Sequence, residues 1–415
     1  MGVDNPASYR RVFEVTEFRY LLAGNVLSLT GDQLANVALT FLVYDQTGSP
    51  ALAAATFAAS HLPWILGGPM LAAHADRWPR RNVLIVCDVV RTALVAVMVI
   101  PGQKPLALIA LMFAVGLART PFLTARAAMM PDIMDGDRYV VANGLDNLTY
   151  QATQVLGFAA GGAVVTLTSP RGALVLDALT FAASAALIAI GVRKRPAAAA
   201  HQPGSGTKAF VQVAKIVLAD RRLRAYLLLF WLASAFLYAV EGLVAPLAMQ
   251  YRGGPRVGGM LLAAAPLGAA VGGILLTRFC PPSRRARLIV PLAALSCAIL
   301  VPVWWIPPMW ALLGLLAIAG TGSAFAVPLN PIFGRAVATQ LRGRAFGVAV
   351  TGLSAAQGLA MLAAGAAATH LQPTTVIAGS GMLGVLAVIA VATIWPQPVL
   401  PSRTAPPRSQ HTAGR

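Results

Sequence analysis

Apolar stretches of membrane-spanning length recur along almost the whole 415-residue chain, and charged residues concentrate in the short segments between them. A helix needs about 20 residues to cross the hydrocarbon core of a bilayer. The stretches fall at residues 20–43, 52–73, 83–100, 106–125, 143–168, 171–192, 224–250, 256–277, 288–306, 309–333, 344–370 and 374–395. This pattern predicts an all-α membrane protein with twelve transmembrane helices.

The composition excludes several other classes of protein. Hydrophobic residues make up 57% of the chain and charged residues only 11%, too few for the surface of a soluble domain. The net charge of +18 comes from short basic clusters between apolar stretches, which favours membrane orientation over nucleic-acid binding.

The sequence shows no arrangement typical of an enzyme. It has no phosphate-binding Gly-Lys-Ser/Thr loop, so an ATP-driven pump is disfavoured. The three cysteines and five histidines have no metal-ligand spacing. We therefore expect no enzymatic activity, no cofactor and no metal site.

The positions of the basic residues predict the orientation. Of the 32 lysines and arginines, only Lys104, Arg171, Arg252 and Arg256 fall on the side that carries Asp45. The positive-inside rule places the other side in the cytoplasm, with both termini there. The prediction is a multi-pass protein of the inner (plasma) membrane.

The longest connection divides the chain into two sets of six helices. The predicted organisation is an N-terminal bundle at 1–192, a cytoplasmic linker at 193–222, a C-terminal bundle at 223–396 and a disordered cytoplasmic tail at 397–415. Apolar residues at helical spacing in the linker fit either an amphipathic helix on the membrane surface or a flexible segment. Pseudo-symmetry of the bundles is supported by Gly67–Leu71, which realigns with Gly272–Leu276 at an offset of 205.

One loop carries a specific motif. Within Gly67–Arg81 an apolar run ends at Asp76 and continues as Arg77, Arg80 and Arg81. These residues resemble the signature loop between the second and third helices of the major facilitator superfamily, although Ala72 and Pro79 stand where that family usually has glycine. The resemblance implies a cytoplasmic gate in which Asp76 meets Arg126 or Arg119 of the fourth helix, near the start of the eleventh helix.

Further segments resemble the multidrug, macrolide and siderophore exporter branch of that family. They are the opening GNVLSLTGDQLANVALTFLVYDQTGS, the segment RAAMMPDI and the segment LRGRAFGV. The fifth predicted helix is similar to the antiporter signature Gly-Pro-x-x-Gly-Gly, with Phe158 in place of the proline. The resemblance implies close helix packing through Gly157, Gly161 and Gly162.

Two carboxylates lie inside predicted spans. Asp32 is near the middle of the first helix and Glu241 at a comparable depth in the seventh, where the repeat offset aligns it with Asn36. A charge at that depth is costly unless it meets water, a partner or a substrate. Both acids are predicted to couple transport to protons, with a structural hydrogen-bonding role as the alternative.

Other polar residues inside the spans are predicted to line a substrate cavity. Asp88 and Arg91, three residues apart, are interpreted as a local ion pair. The polar stripe of the fifth helix either lines the cavity or joins helices. The predicted cavity residues are Gln33, Asn36, Tyr238, Tyr150, Gln154, His61, Asn330 and Gln357.

These features predict a monomeric secondary transporter that exports a moderately hydrophobic small molecule, such as a drug, siderophore or secondary metabolite, in exchange for protons. Its other expected partner is membrane lipid. Alternating access of two bundles around a central site is the expected mechanism. The alternatives are an importer or facilitator on the same fold, and a membrane sensor or assembly partner that transports nothing.

Overall fold

The computed structural model describes residues 9–67, 78–195 and 207–395, where every regular element is an α-helix or a 3-10 helix. The helices before the linker are α1 (Tyr9–Phe13), α2 (Thr16–Thr47), α3 (Pro50–Ala58), α4 (Arg80–Val99), α5 (Pro105–Ile133), α6 (Gly136–Leu167) and α7 (Pro170–Gly191). The later helices are α8 (Thr207–Ala219), α9 (Arg221–Gly242), α10 (Val244–Gln250), α11 (Gly254–Phe279), α12 (Pro282–Arg285), α13 (Ile289–Ala298), α14 (Met309–Gly322), α15 (Ala326–Ala336), α16 (Arg342–Ala367) and α17 (Pro373–Thr393). Short 3-10 helices occupy Ala286–Leu288, Val301–Trp305, Ser323–Phe325 and Thr339–Leu341.

Ten helical segments in these described ranges are long and apolar enough to cross a bilayer, which confirms the all-α membrane architecture. Two of the twelve predicted spans are not among them. The span at 52–73 begins in α3, turns at 59–62, and passes at residue 68 outside the described residues. The span at 143–168 lies in α6, a continuous helix of 32 residues that carries a polar stripe. The number twelve therefore stays a prediction.

One apolar stretch of the sequence is divided into two helices close to a proline. The predicted helix at 224–250 is divided at Leu243, between α9 and α10. Pro246 has no N–H to donate to the carbonyl of Gly242, so the regular hydrogen-bond ladder cannot continue there. The predicted stretch is therefore two helices in the structure, and Glu241 lies two residues before the break at Leu243.

The helices pack mainly with others from the same half of the chain. Before the linker, α2 is the most buried span and packs along α6 and α7, while α4 packs along α5 and α7. After the linker, α9 packs along α16 and α17, and α11 packs along α14. Extended contacts between these two sets are made by α6 with α11 and by α3 with α16.

Glycines bring the two sets together at one end of the bundle. We call this the closed end; it is where α2 joins α3, α6 joins α7 and α10 leads into α11. A Cβ atom on Gly162 of α6 would lie 2.5 Å from the backbone oxygen of Pro255 and 2.9 Å from the Cα of Gly259 in α11. The helices therefore meet backbone to backbone, which any side chain at these two positions would prevent.

The other two glycines of the predicted antiporter-like signature face a different helix. A Cβ atom on Gly157 would lie 3.0 Å from the Cβ of Gln33, and one on Gly161 would lie 3.3 Å from Cγ2 of Val37. Both therefore allow α6 to approach α2 within the first half. The helix-packing partner of Gly162, Gly259, was not identified from the sequence.

Helix α8 forms inside the predicted linker and contacts protein. Val213 and Val217 are buried in a cluster with Leu223, Val337 and Val348 at the end of the bundle opposite the closed end. The side chains of Val211 and Ile216 are exposed on another face. The sequence alternatives are a helix on the membrane surface or a flexible segment. The structure has a helix here, and its face with Val213 and Val217 packs on the second set of helices.

Replacing Gly162 by alanine is expected to lower the melting temperature of the detergent-solubilised protein by several degrees, because overpacking costs about 1–3 kcal/mol. Gly144→Ala in the same helix is the control, since a Cβ atom there meets nothing within 4 Å. Thermal unfolding monitored by circular dichroism measures both. Equal melting temperatures for the two variants would contradict the close contact between α6 and α11.

Candidate functional site

A cavity of about 680 Å³ lies between the two sets of helices. Along α11 its wall extends from Leu261 to Thr277, and along α6 from Gly144 to Gln154, so it reaches away from the closed end. Its lining is mostly apolar and aromatic. The polar and aromatic lining residues are Asn147, Tyr150, Gln151, Gln154, Phe230, Ser234, Tyr238, Glu241, Thr277, Ser323, Phe325, Asn330 and Gln357.

Among the described residues that line this cavity, Glu241 is the one carboxylate, and none is a lysine or an arginine. None of the ion pairs formed by the described residues includes it. It is held at the end of α9, where Gly242 lets α16 approach closely; a Cβ atom on that glycine would lie 3.0 Å from the Cα of Met361. A half-buried carboxylate with no ion-pair partner in this part of the chain is suited to bind a cation or a proton.

A chain of amides and hydroxyls connects α2 to the cavity wall. Gln33 donates a hydrogen bond to Gln154, which in turn donates to the hydroxyl of Tyr150 at 3.4 Å. Asn36 donates to the Oε1 atom of Gln33 at 3.4 Å. Two of these four residues, Gln154 and Tyr150, line the cavity, and the other two are buried behind them.

Of the remaining predicted cavity residues, three line the cavity and one lies behind its wall. Tyr238, Asn330 and Gln357 line the cavity. His61 follows α3 and lies behind Tyr238, with the two ring centres 5.9 Å apart. Its Nδ1 atom is 3.0 Å from the hydroxyl of Ser60, which gives this histidine a local polar partner.

Asp32 belongs to a buried charge cluster and does not line the cavity. Its Oδ1 atom accepts a hydrogen bond from Nη2 of Arg91 at 2.5 Å, and its Oδ2 atom lies 3.3 Å from Nε of Arg119. Arg91 also donates to Asp88 at 3.0 Å and to the hydroxyl of Ser28 at 2.7 Å. Four helices, α2, α4, α5 and α7, enclose the cluster.

Arg91 is the centre of this cluster. Its side chain is fully buried, and its guanidinium carbon lies 3.8 Å from the centre of the Phe181 ring. A planar guanidinium can pair with two carboxylates and stack on an aromatic face at the same time, which a lysine cannot do. The local pair of Asp88 and Arg91 expected from their spacing is present, and it extends to Asp32.

The predicted gate arginines do not form one cluster in the structure. Arg119 lies near the middle of α5 against Asp32, so its contact in this structure is with the buried cluster. Arg126 forms a two-bond ion pair with Asp146 of α6. Asp76 and Arg77 lie outside the described residues.

The other two gate arginines link helix ends at the opposite end from the closed end. Arg80 donates to Asp132 at 2.5 Å and to the backbone oxygen of Ala128 at 2.8 Å, which joins α4 to α5. Arg81 donates to the backbone oxygen of Ala189 at 2.5 Å, which joins α4 to α7. The sequence did not indicate Asp132 as the partner of Arg80. Asp146 belongs to the polar stripe of the fifth predicted helix, and its pair with Arg126 agrees with the alternative in which this stripe joins helices.

Comparison with known proteins identifies relatives along most of the chain. The family model of the Major Facilitator Superfamily matches residues 21–334. The multidrug efflux pump Tap of Mycolicibacterium fortuitum is 25% identical over 383 residues, which cover 87% of this chain and 91% of that protein. The uncharacterised MFS-type transporter YkuC of Bacillus subtilis is 25% identical over 181 residues, and this match spans only 42% of YkuC.

Solved structures share the fold at low sequence identity. A POT family transporter in complex with 5-aminolevulinic acid has a TM-score of 0.71 at 12% identity, covering 91% of this chain and 96% of that one. A bacterial homologue of the human lysosomal transporter Spinster, in an inward-facing and occupied conformation, has a TM-score of 0.67 at 14% identity, covering 92% and 94%. At these identities the likeness concerns the fold alone.

Replacing Arg91 by methionine is expected to destabilise the folded protein by about 3–5 kcal/mol, because Asp88 then loses its ion-pair partner in a buried site. The double variant Arg91→Met/Asp88→Asn removes that unpaired carboxylate as well and is expected to recover part of the loss. Urea or thermal unfolding in detergent measures both. A double variant no more stable than Arg91→Met would contradict the pairing of Arg91 with Asp88.

Proposed function

The chain belongs to the Major Facilitator Superfamily of membrane transporters, and from this we propose that it exports a moderately hydrophobic small molecule across the cell membrane in exchange for protons. The observation that carries the proposal is the cavity, which has mostly apolar and aromatic walls and a single carboxylate, Glu241. The similarity to the efflux pump Tap supports the outward direction.

The walls of the cavity favour a particular chemistry of substrate. A volume of about 680 Å³ lies in the usual range for small-molecule sites. Phe230 and Phe325 offer aromatic surface, and Tyr150 and Tyr238 add hydroxyls beside it. With one carboxylate and no basic side chain in the lining, the cavity favours amphipathic compounds that carry a positive charge.

Two acids are proposed to take up protons during the cycle. Glu241 can bind either a proton or a cationic substrate, so the two compete directly at the cavity wall. Asp32 lies outside the lining, but Asn36 and Gln33 on its helix connect to Gln154 and hence to the cavity. Protonation of Asp32 would weaken its ion pairs with Arg91 and Arg119, and this loosens the contacts between α2, α4 and α5.

The organisation predicted from the sequence completes the proposal. Twelve helices in two bundles, 1–192 and 223–396, rock about the cavity as a monomer, with both termini in the cytoplasm. The residues of the linker, 193–222, join the bundles, and 397–415 form a cytoplasmic tail. The closed end then faces outwards, because Lys104, Arg171, Arg252 and Arg256 are at that end and the other basic residues favour the cytoplasm.

An importer of the same fold is the alternative. Solved structures that share the fold include a proton dependent oligopeptide transporter with a TM-score of 0.69 at 11% identity. That likeness reports the fold only. Export and import are therefore distinguished by the direction of substrate movement.

Expression of the wild type in pump-deficient cells is expected to lower the accumulation of lipophilic cations severalfold, and a protonophore is expected to abolish the effect. Asp32→Asn and Glu241→Gln should each lose export, the first for all substrates and the second mainly for cationic ones. Asp45→Asn is the control, because this acid lies on the same helix as Asp32 but close to its end. Fluorescent compound uptake at matched membrane expression measures the effect.

Higher accumulation in expressing cells would favour an importer over an exporter. Export that persists in the presence of the protonophore would contradict proton coupling. Normal export by Asp32→Asn would remove this residue from the coupling mechanism.

A further inference from the structure

Asp177 of α7 is a buried carboxyl group that the proposed mechanism has not used. It has no exposed surface, and no described residue donates a hydrogen bond to either of its carboxyl oxygens. The nearby hydroxyl of Thr180 is directed elsewhere, since it donates to the backbone oxygen of Asp177 at 2.8 Å. A hydroxyl has one proton to donate, so it cannot also satisfy the carboxylate.

A glycine in α2 makes the space that this carboxyl group occupies. A Cβ atom on Gly31 would lie 2.2 Å from Oδ1 of Asp177 and 2.2 Å from Oγ1 of Thr180. Any other residue at position 31 would displace the acid. The carboxyl group therefore packs against the backbone of α2 directly beside Asp32, the neighbouring residue in the sequence.

The charges of the groups around Asp177 already sum to zero, so the cluster is neutral only if Asp177 carries no charge. The charged groups that face it are Asp32 from α2, and Asp88 and Arg91 from α4. Arg119 of α5 lies beyond Asp32. The ion pairs of this part of the chain join two carboxylates, Asp32 and Asp88, to two arginines, Arg91 and Arg119, and none of them includes Asp177. An ionised carboxylate with neither donor nor counter-ion is strongly disfavoured in such a site.

We propose that Asp177 holds a proton in this conformation and exchanges it with Asp32 during the transport cycle. The O–H bond of the Asp177 carboxyl breaks, the proton binds to the Asp32 carboxylate, and the guanidinium of Arg91 moves from Asp32 to Asp177. The cluster keeps the same total charge before and after this transfer. The inference rests on the proton coupling proposed above and adds a second buried site to it.

The position of Arg91 suits this exchange. Its guanidinium is stacked on Phe181, which lies four residues after Asp177 and therefore one helical turn away on the same face of α7. A rotation on this aromatic surface carries the guanidinium from α2 towards Asp177. The stacking continues throughout the movement, so Arg91 never becomes unpartnered.

Infrared spectroscopy of the purified protein in phosphatidylcholine liposomes tests the proposal without a substrate. All proteins compared carry Glu241→Gln, because Glu241 is proposed above to bind a proton and would give a band of its own. On this background, at neutral pH, the protein with the native cluster should show the carbonyl band of a protonated, buried carboxyl group, and Asp177→Asn should lose it. Asp32→Asn should lose the same band, because Arg91 is then free to pair with an ionised Asp177. Asp45→Asn, which changes an acid outside the cluster, should keep it.

On the Glu241→Gln background, a band that is absent from the protein with the native cluster, or that remains in Asp177→Asn, would overturn the assignment of the proton to Asp177. A band that disappears in Asp177→Asn but remains in Asp32→Asn would show a permanently neutral structural acid and would overturn the exchange. These results do not depend on export, so a failure of the accumulation experiment is distinguishable from a failure here.

Thermal unfolding of these variants, and of Asp88→Asn in addition, shows whether they are comparably folded. It also gives a second test of whether Asp177 is neutral. Asp177→Asn replaces a neutral acid by a neutral amide of the same shape and should shift the melting temperature by less than about 2 °C, whereas Asp88→Asn removes a partner of Arg91 and should lower it by more than about 5 °C. Equal losses in the two variants would indicate an ionised, paired Asp177 and would contradict the proposal.

Discussion

The fully buried guanidinium of Arg91 is the interaction on which the first half of the structure depends. It joins Asp32 on α2 to Asp88 on its own helix, and it stacks on Phe181 of α7. Its removal from water is tolerated only because carboxylates and an aromatic face replace the lost hydration. The same dependence makes the cluster sensitive to protonation, since a neutral Asp32 no longer holds the arginine. The structural ion pair and the proposed step in proton coupling therefore involve the same residues.

A second constraint acts at the closed end, where the two sets of helices touch through backbone atoms. Gly162 and Gly259 meet there with no side chains between α6 and α11. Residues of the same two helices line the cavity further along their length. The cavity therefore begins beyond the glycine contact and extends towards the opposite end of the bundle. A rocking movement that opens the glycine contact would reverse this arrangement, as alternating access requires.

The all-α membrane architecture and part of the candidate site can be predicted from the sequence. Repeated apolar stretches predict the helical membrane protein, and the residues resembling the transporter family predict its membership, because both signals are local in sequence. Tyr238 and Gln357, two of the residues predicted for a substrate cavity, line the cavity between the two sets of helices, whereas Gln33 is one layer behind it. The cluster around Asp32 was not foreseen, because pairing between α2, α4 and α5 depends on helix rotation and crossing, which hydropathy does not determine. The break after Glu241 required the effect of one proline to be considered within an otherwise continuous apolar run.

The most direct test of the account is transport by the purified protein in liposomes with an imposed pH gradient. Ethidium outside and an acidic interior provide a lipophilic cation and a store of protons, and two dyes report ethidium entry and internal pH. The account predicts that ethidium accumulates inside above its external concentration while protons leave, and that a proton ionophore, which dissipates the pH gradient, abolishes the accumulation of ethidium. Ethidium that only equilibrates without proton movement, or that moves in the same direction as the protons, would contradict proton-driven export.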